Sequence, residues 1–286
     1  MLRWEDAGST GIVFGAAAGT RSDAVPGAVP HAVSRTVANV VANAVPNDVP
    51  HDVPHSVPQF VRDCAVPIVL CSGAVAAVRG TATLIQTGNA VLLLTAAHLF
   101  DQGVRLGDLM LPLPATGGWQ SLESAGLRSD VAGDIAVVTP SRRAQAALAG
   151  AWCAVPLAAV AGAEHTADEH LTHYVAGYPA ALTRLHEEWL VAKRLLVMSG
   201  ELAPADRPHA AGSRDLFLEY RRVAPRMDGH SIHTPPLDGV SGAAVWGVRR
   251  VNGCRQLMIV GVQSAFCHHR YLRAGRINPW DHPLAN

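Results

Sequence analysis

Charge is scarce in this sequence, and what there is balances. Lys plus Arg equal Asp plus Glu at 23 each, and charged residues make up 16% of the chain. With no excess of either sign, long-range attraction does not recruit nucleic acid or an anionic membrane surface. Aromatic residues are rarer still, at 5%, which leaves little surface on which bases stack. No apolar run approaches the roughly 18 residues a membrane-spanning helix needs. No Cys-x-x-Cys pair occurs, so no structural zinc is expected. The five cysteines, Cys64, Cys71, Cys153, Cys254 and Cys267, are odd in number and read as unpaired thiols in a reducing compartment. The start, Met1 to Asp6, sets acids after its lone arginine and makes a poor secretory leader. The expected location is therefore the cytoplasm, with no metal and no cofactor.

What is present is alanine and valine. Hydrophobic residues reach 49% of 286, enough for one or two cores built from strands. Residues 23–58 carry a four-residue valine repeat running from Val25 to Val57, and proline follows the valine in six of its nine units. Each proline removes a backbone donor and clashes with the preceding turn, so a helical stripe is excluded. An extended, mobile N-terminal arm over residues 1–58 is expected.

Beyond the arm, short apolar runs are punctuated by turn residues. The strand candidates are Pro67–Cys71, Ala74–Val78, Gly80–Gln86, Val91–Leu94, Val104–Leu111 and Asp134–Val138, with a hairpin turn at Thr87-Gly88-Asn89. Six such strands suit a small closed barrel. Ser141 caps a predicted helix with Ala144, Leu148 and Trp152 on one face. A second set follows at Leu171–Val175, Glu188–Met198, Asp215–Tyr220, Ala243–Val248 and Gln256–Gln263. Residues 201–214 and 224–236 read as loops.

Three short motifs carry chemistry. In Gly239-Val240-Ser241-Gly242, a glycine that reaches unusual backbone angles lets the amides of Gly239 and Ser241 point into one small space, as an oxyanion hole requires. Taken alone, the motif is a tight turn or a degraded hydrolase elbow, Gly-x-Ser-x-Gly with Ala243 last. An elbow hydrolase places its acid and histidine after the serine, and too little chain follows Ser241 for that. The partners lie upstream. His98 ends the apolar run Val91 to Leu94 through Thr95-Ala96-Ala97, and Asp134 stands at the mouth of Ile135 to Val138. Asp130 is the rival acid. Serine needs a base to take its proton as it attacks. His98 is the candidate base and Asp134 the group that holds its tautomer.

In this order, Thr-Ala-Ala-His, Asp-Ile-Ala-Val and Gly-x-Ser-Gly resemble the trypsin-like serine proteases of the chymotrypsin fold. The bacterial, disulfide-free branch is nearest. Gly80-Thr81-Ala82-Thr83-Leu84-Ile85 resembles that branch's Gly-Thr-Gly-Phe-Leu-Ile strand. The resemblance implies an all-β fold of two six-stranded antiparallel β-barrels over residues 59–286, the first at about 60–140 and the second at about 155–270. It implies a site between them, with His98, Asp134 and Ser241 as triad and a protein or peptide as substrate. Oligomeric state is left open. Two departures stand out: Val240 replaces a common Asp or Asn, and Ala243 a common Gly. In this family the specificity-pocket floor lies six residues before the serine, at Pro235. The wall strand is Val262-Gln263-Ser264-Ala265-Phe266, with Asp238 near the rim. An uncharged floor and a bulky Phe266 imply a shallow pocket for small apolar side chains. The group His165, His170 and His173 with Glu164 and Glu169 fits no standard metal spacing and reads as a solvated loop. His268-His269-Arg270 reads as exposed. Two other readings compete with an active protease: a binding or scaffold module on a catalytically weak or dead protease fold, and a barrel that merely carries a functional Val-Pro arm.

Overall fold

Alternation of side chains along a strand decides how this chain packs. In a computed structural model, the described residues are 3–5, 12–15 and 57–277, less 73–74, 102, 115, 161–169, 187–188, 209–210, 226–229 and 252–253. Most of the valine-proline arm, and its expected mobility, lies outside them. The arm residues that are described take regular structure. They form strands β1 (Arg3–Glu5) and β2 (Ile12–Gly15), and Val57-Pro58 open helix α1 (Val57–Asp63).

The fold is all-β. One sheet takes β3 (Ala65–Ser72), β4 (Val75–Thr87), β5 (Ala90–Thr95), β6 (Leu109–Leu113), β7 (Gly118–Ser121), β8 (Gly126–Asp130) and β9 (Ile135–Thr139), in the hydrogen-bonded order β7-β6-β3-β4-β5-β9-β8. Helix α2 (Arg142–Ala151) then crosses over, and β10 (Ala154–Pro156) adds to β4 in parallel. The rest of the chain supplies β11 (His170–Gly177), β12 (Thr183–His186), β13 (Trp189–Ala192), β14 (Leu195–Ser199), β15 (Asp215–Glu219), β16 (Val223–Pro225), β17 (Ser231–His233), β18 (Ala244–Val251), β19 (Cys254–Cys267) and β20 (Tyr271–Arg276). Of these, the second sheet runs β1-β14-β11-β18-β19-β20-β15, while β12-β13-β2 and β16-β17 stand apart. Both main sheets are antiparallel apart from β10, and each path has seven strands rather than the expected six.

Several boundaries differ from the sequence reading. The two strands expected either side of Arg79 are one, because Ile68 pairs with Gly80 and Val69 with Val78, leaving Arg79 as a bulge. Val104–Leu111 is not one strand: a 3₁₀ turn at Leu106–Asp108, its Arg105 paired with Asp108, precedes β6. The expected Glu188–Met198 strand is divided into β13 and β14. The expected loop at 224–236 holds the β16–β17 hairpin. The helix cap is as expected: Ser141 Oγ accepts from Ala144 N at 3.3 Å, Ala144 and Leu148 are buried, and Trp152 Nε1 donates to Pro112 O at 2.8 Å.

The second sheet is buried on both faces. On β14, Leu195 and Val197 enter its own core with Leu216, Leu218 and Val245, while Leu196 between them joins Trp246 and Ile259 in the core that the first sheet fills. Helix α1 seals that junction. Phe60 meets Trp246 edge-on at 5.6 Å, and Arg194 Nη1 donates to Arg62 O at 2.8 Å and Asp63 Oδ1 at 2.9 Å. Cys64, expected to be one isolated thiol of five, donates to Cys153 Sγ at 3.5 Å; that bond, then burial, pushes its thiol well above the usual range.

Candidate active site

Strand β5 is buried from Val91 onward and runs directly into a 3₁₀ turn at Ala97–Phe100. Ala96 and Leu99 are buried on either side of His98, so the turn is held from below while the imidazole faces out. Asp134 sits one residue before β9, with φ +52° in the left-handed region that acids tolerate better than most residues. It accepts two bonds from His98: the backbone amide at 2.9 Å on Oδ1 and ring Nδ1 at 2.7 Å on Oδ2. A carboxylate only accepts, so Nδ1 carries a hydrogen and, in the neutral ring, Nε2 keeps its lone pair. The side chains keep 36% and 22% exposure, so the pair sits at a solvent-accessible rim. Asp130, the rival acid, pairs with Arg214 instead.

Ser241 is delivered by backbone geometry. Gly239 and Gly242 have φ of +90° and +92°. A β-carbon at Gly242 would lie 2.1 Å from Thr95 Oγ1, 2.2 Å from Thr81 O and 3.0 Å from Ala96 N. The serine turn thus packs directly on the turn that carries His98. Thr81 is the meeting point. Its amide donates to Ser241 O at 2.8 Å, its hydroxyl donates to Gly239 O at 2.9 Å and accepts from Tyr178 N at 3.2 Å, and its carbonyl accepts from Thr95 Oγ1 at 2.7 Å. Among the described residues, the amides of Gly239 and Ser241 have no backbone acceptor, and no hydrogen bond joins Ser241 Oγ to His98. Val240 packs into the second core, 1% exposed.

The remaining expected residues divide. Gln263 is bonded to the serine turn through both backbone groups, accepting from Gly242 N and donating to Ala243 O at 2.8 Å each. Val262 and Ser264 are buried beside it, with Ser264 Oγ donating to Arg273 O at 3.3 Å. Phe266 is half-buried against the second core. Pro235 O accepts from the Tyr220 hydroxyl, whose pKa burial pushes up. Asp238 is exposed, and its carbonyl accepts from Ala180 N at 2.6 Å. The solvated-loop reading fails at His173, which lies buried in β11 with Nε2 4.0 Å from Glu201 Oε1, because its strand is covered on both faces. Residues 161–169 lie outside the described ones. His268 and His269 stack at 3.5 Å on the exposed β19–β20 turn.

Sequence reasoning did not single out Thr81, Thr95, Tyr178 or Arg214. Thr81 and Thr95 stood inside quoted motifs, but a buried hydroxyl in an apolar strand was the signal for their role, since such a group needs partners.

No family model matches the chain, and no curated protein does. A solved structure described under work on the coupled folding and binding of the intrinsically disordered Sesbania mosaic virus VPg protein is similar over 76% of this chain and 89% of its own, with 14% identity and a TM-score of 0.43.

Proposed function

We propose that the chain is a serine endopeptidase in which Ser241 is the nucleophile, His98 the general base and Asp134 the group that orients it. The observation that carries the reading is the double hydrogen bond from His98 to Asp134, on a turn against which the Ser241 turn is packed. Asp134 keeps the proton on Nδ1, so Nε2 takes the Ser241 proton as Oγ attacks the scissile carbonyl. The oxyanion of the tetrahedral intermediate is received by the amides of Gly239 and Ser241, which have no backbone acceptor among the described residues. The proton on Nε2 passes to the leaving amine, and the acyl-enzyme is hydrolysed when water attacks with His98 again as base.

Labelling with a fluorophosphonate tests this. The full chain is expected to form a covalent adduct, and Ser241→Ala to form none and lose turnover by about 10⁶-fold. A wild-type chain that stays unlabelled over hours and cleaves no peptide sinks the reading and leaves a binding module on the same fold. We assign the primary pocket to small apolar side chains, on the uncharged Pro235 and the half-buried Phe266. A cleavage profile dominated by Arg or Lys would reject that assignment.

A further inference from the structure

We propose that Asp130 and Arg214 are positioning residues for the His98–Asp134 pair, a clamp by which the second sheet fixes the acid carried by the first. The proposal rests on the protease reading for its kinetic consequence, though not for its structural one. The turn from Asp130 to Asp134 leaves β8 and returns as β9, and its tip is solvent-facing, with Val131 81% exposed. A turn so exposed, ending on a residue with positive φ, needs an external hold to keep a carboxylate within bonding distance of two donors.

Asp130 supplies the hold from within. Its Oδ1 accepts from Gly133 N at 3.1 Å, and the Asp134 amide donates to Val131 O at 3.2 Å, so the turn closes on itself. Arg214 supplies it from the other sheet. Its guanidinium pairs with Oδ2 of the same carboxylate, and its carbonyl accepts from Arg276 N at 2.8 Å, which ties it to β20. Gly133 lies between these elements. A β-carbon there would meet Asp130 Oδ2 at 2.8 Å and Arg214 Nη2 at 3.0 Å, and one at Gly275 of β20 would meet Gly133 O at 1.9 Å. The acid-bearing turn is therefore seated on β20, and Arg214 bonds to a side chain that shapes it. Removing the guanidinium takes away that side chain's ion-pair partner on the second sheet, and the displacement reaches Asp134 along the turn. The neighbouring pair, Arg273 Nε to Asp215 Oδ1 at 2.9 Å, includes no residue of this turn and serves as control.

The test uses the full chain with nitrogen-labelled histidine and follows the His98 Nδ1–H resonance alongside steady-state kinetics. Arg214→Ala is expected to move that resonance toward the position of a solvent-exposed imidazole and to lower kcat by about 10²-fold at unchanged KM. Arg214→Lys is expected to restore most of both, and Arg273→Ala to change neither. Should Arg214→Ala fail to fold, Asp130→Asn is read the same way. An unchanged resonance and kcat in Arg214→Ala, with a lower Tm alone as in Arg273→Ala, would overturn the proposal. If the wild type turns over no peptide, the protease reading fails and the resonance alone decides the clamp.

Discussion

The two sheets equip the site by different means. The first provides a side-chain pair, His98 and Asp134, joined by two hydrogen bonds at 2.9 and 2.7 Å. The second provides a backbone turn, in which Gly239 and Gly242 at φ near +90° aim amides and leave Ser241 Oγ unbonded to His98. One half is defined by which atoms donate and accept, the other by where a β-carbon has no room. The first should respond to chemical substitutions that keep shape, and the second to steric ones that keep chemistry.

The largest expected effect falls on the side-chain half. Asp134→Asn keeps the volume but sets an amide donor against Nδ1, which favours the wrong ring tautomer. A drop of about 10⁴-fold in kcat is expected with an unchanged unfolding midpoint. Equal turnover by the two proteins would break the contrast, since Asp134 would then be shaping the turn and no more.

Next is the backbone half. Gly242→Ala changes no reacting group, yet its methyl would overlap Thr95 Oγ1 and Thr81 O at about +90° φ. Strain and overpacking together should cost about 3 kcal/mol in urea unfolding, with labelling lost. Gly88→Ala is the control: its φ is +55° but nothing lies within 4 Å of the added carbon, so about 1 kcal/mol is expected. Equal losses at both positions would show that φ, not close approach, governs the turn.

Thr81 joins the halves, and its substitution should fall between those two glycines in effect. Thr81→Val keeps the shape and deletes a buried hydroxyl that serves Gly239 O and Tyr178 N. Leaving both unpaired should cost about 1–3 kcal/mol, with the phosphonate labelling rate falling as the serine turn loosens. A variant as stable and as quickly labelled as wild type would remove Thr81 from the account.

The same contrast explains what was legible in the sequence. His98, Asp134 and Ser241 stood out as candidates because each sits where an apolar strand meets a turn, and apolar strands announce themselves. Strand β8 could not: its residues Gly126 to Ser129 are exposed, so burial had imposed no alternation on them. Strand β20 hid because Arg273 separates Leu272 from Ala274 and Arg276 ends it, and their charge is satisfied by Asp215 and Glu201 far away in sequence. The bulge at Arg79 was invisible for a similar reason. Which residue of β4 is left unpaired depends on β3, and no local pattern records a register between strands. Asp130 was weighed as a rival acid because spacing cannot tell which carboxylate meets His98; Arg214, remote in the chain, takes Asp130.

The smallest expected effect is none at all, and it follows from Val240. An enzyme that forms its oxyanion hole when a newly cut N-terminal amine enters the protein needs a carboxylate beside the serine to receive it. Here that position is a valine buried in the second core, with Leu237, Ala243 and Val245 in the same cluster. The would-be β-carbon of Gly177 lies 2.8 Å from Val240 Cγ1, so the space an ammonium would need is filled. Burying an unpaired charge there would cost several kcal/mol, and the turn is already held by Thr81, Tyr178 and the backbone of Gln263. Chains starting at different points between 50 and 56 should therefore label and turn over alike. Starts beyond Phe60 should lose both, because that ring packs on Trp246, two residues into the strand that follows the serine turn. Activity confined to one exact start within 50–56 would mean that the terminal amine reaches the site by a route that Val240 does not block.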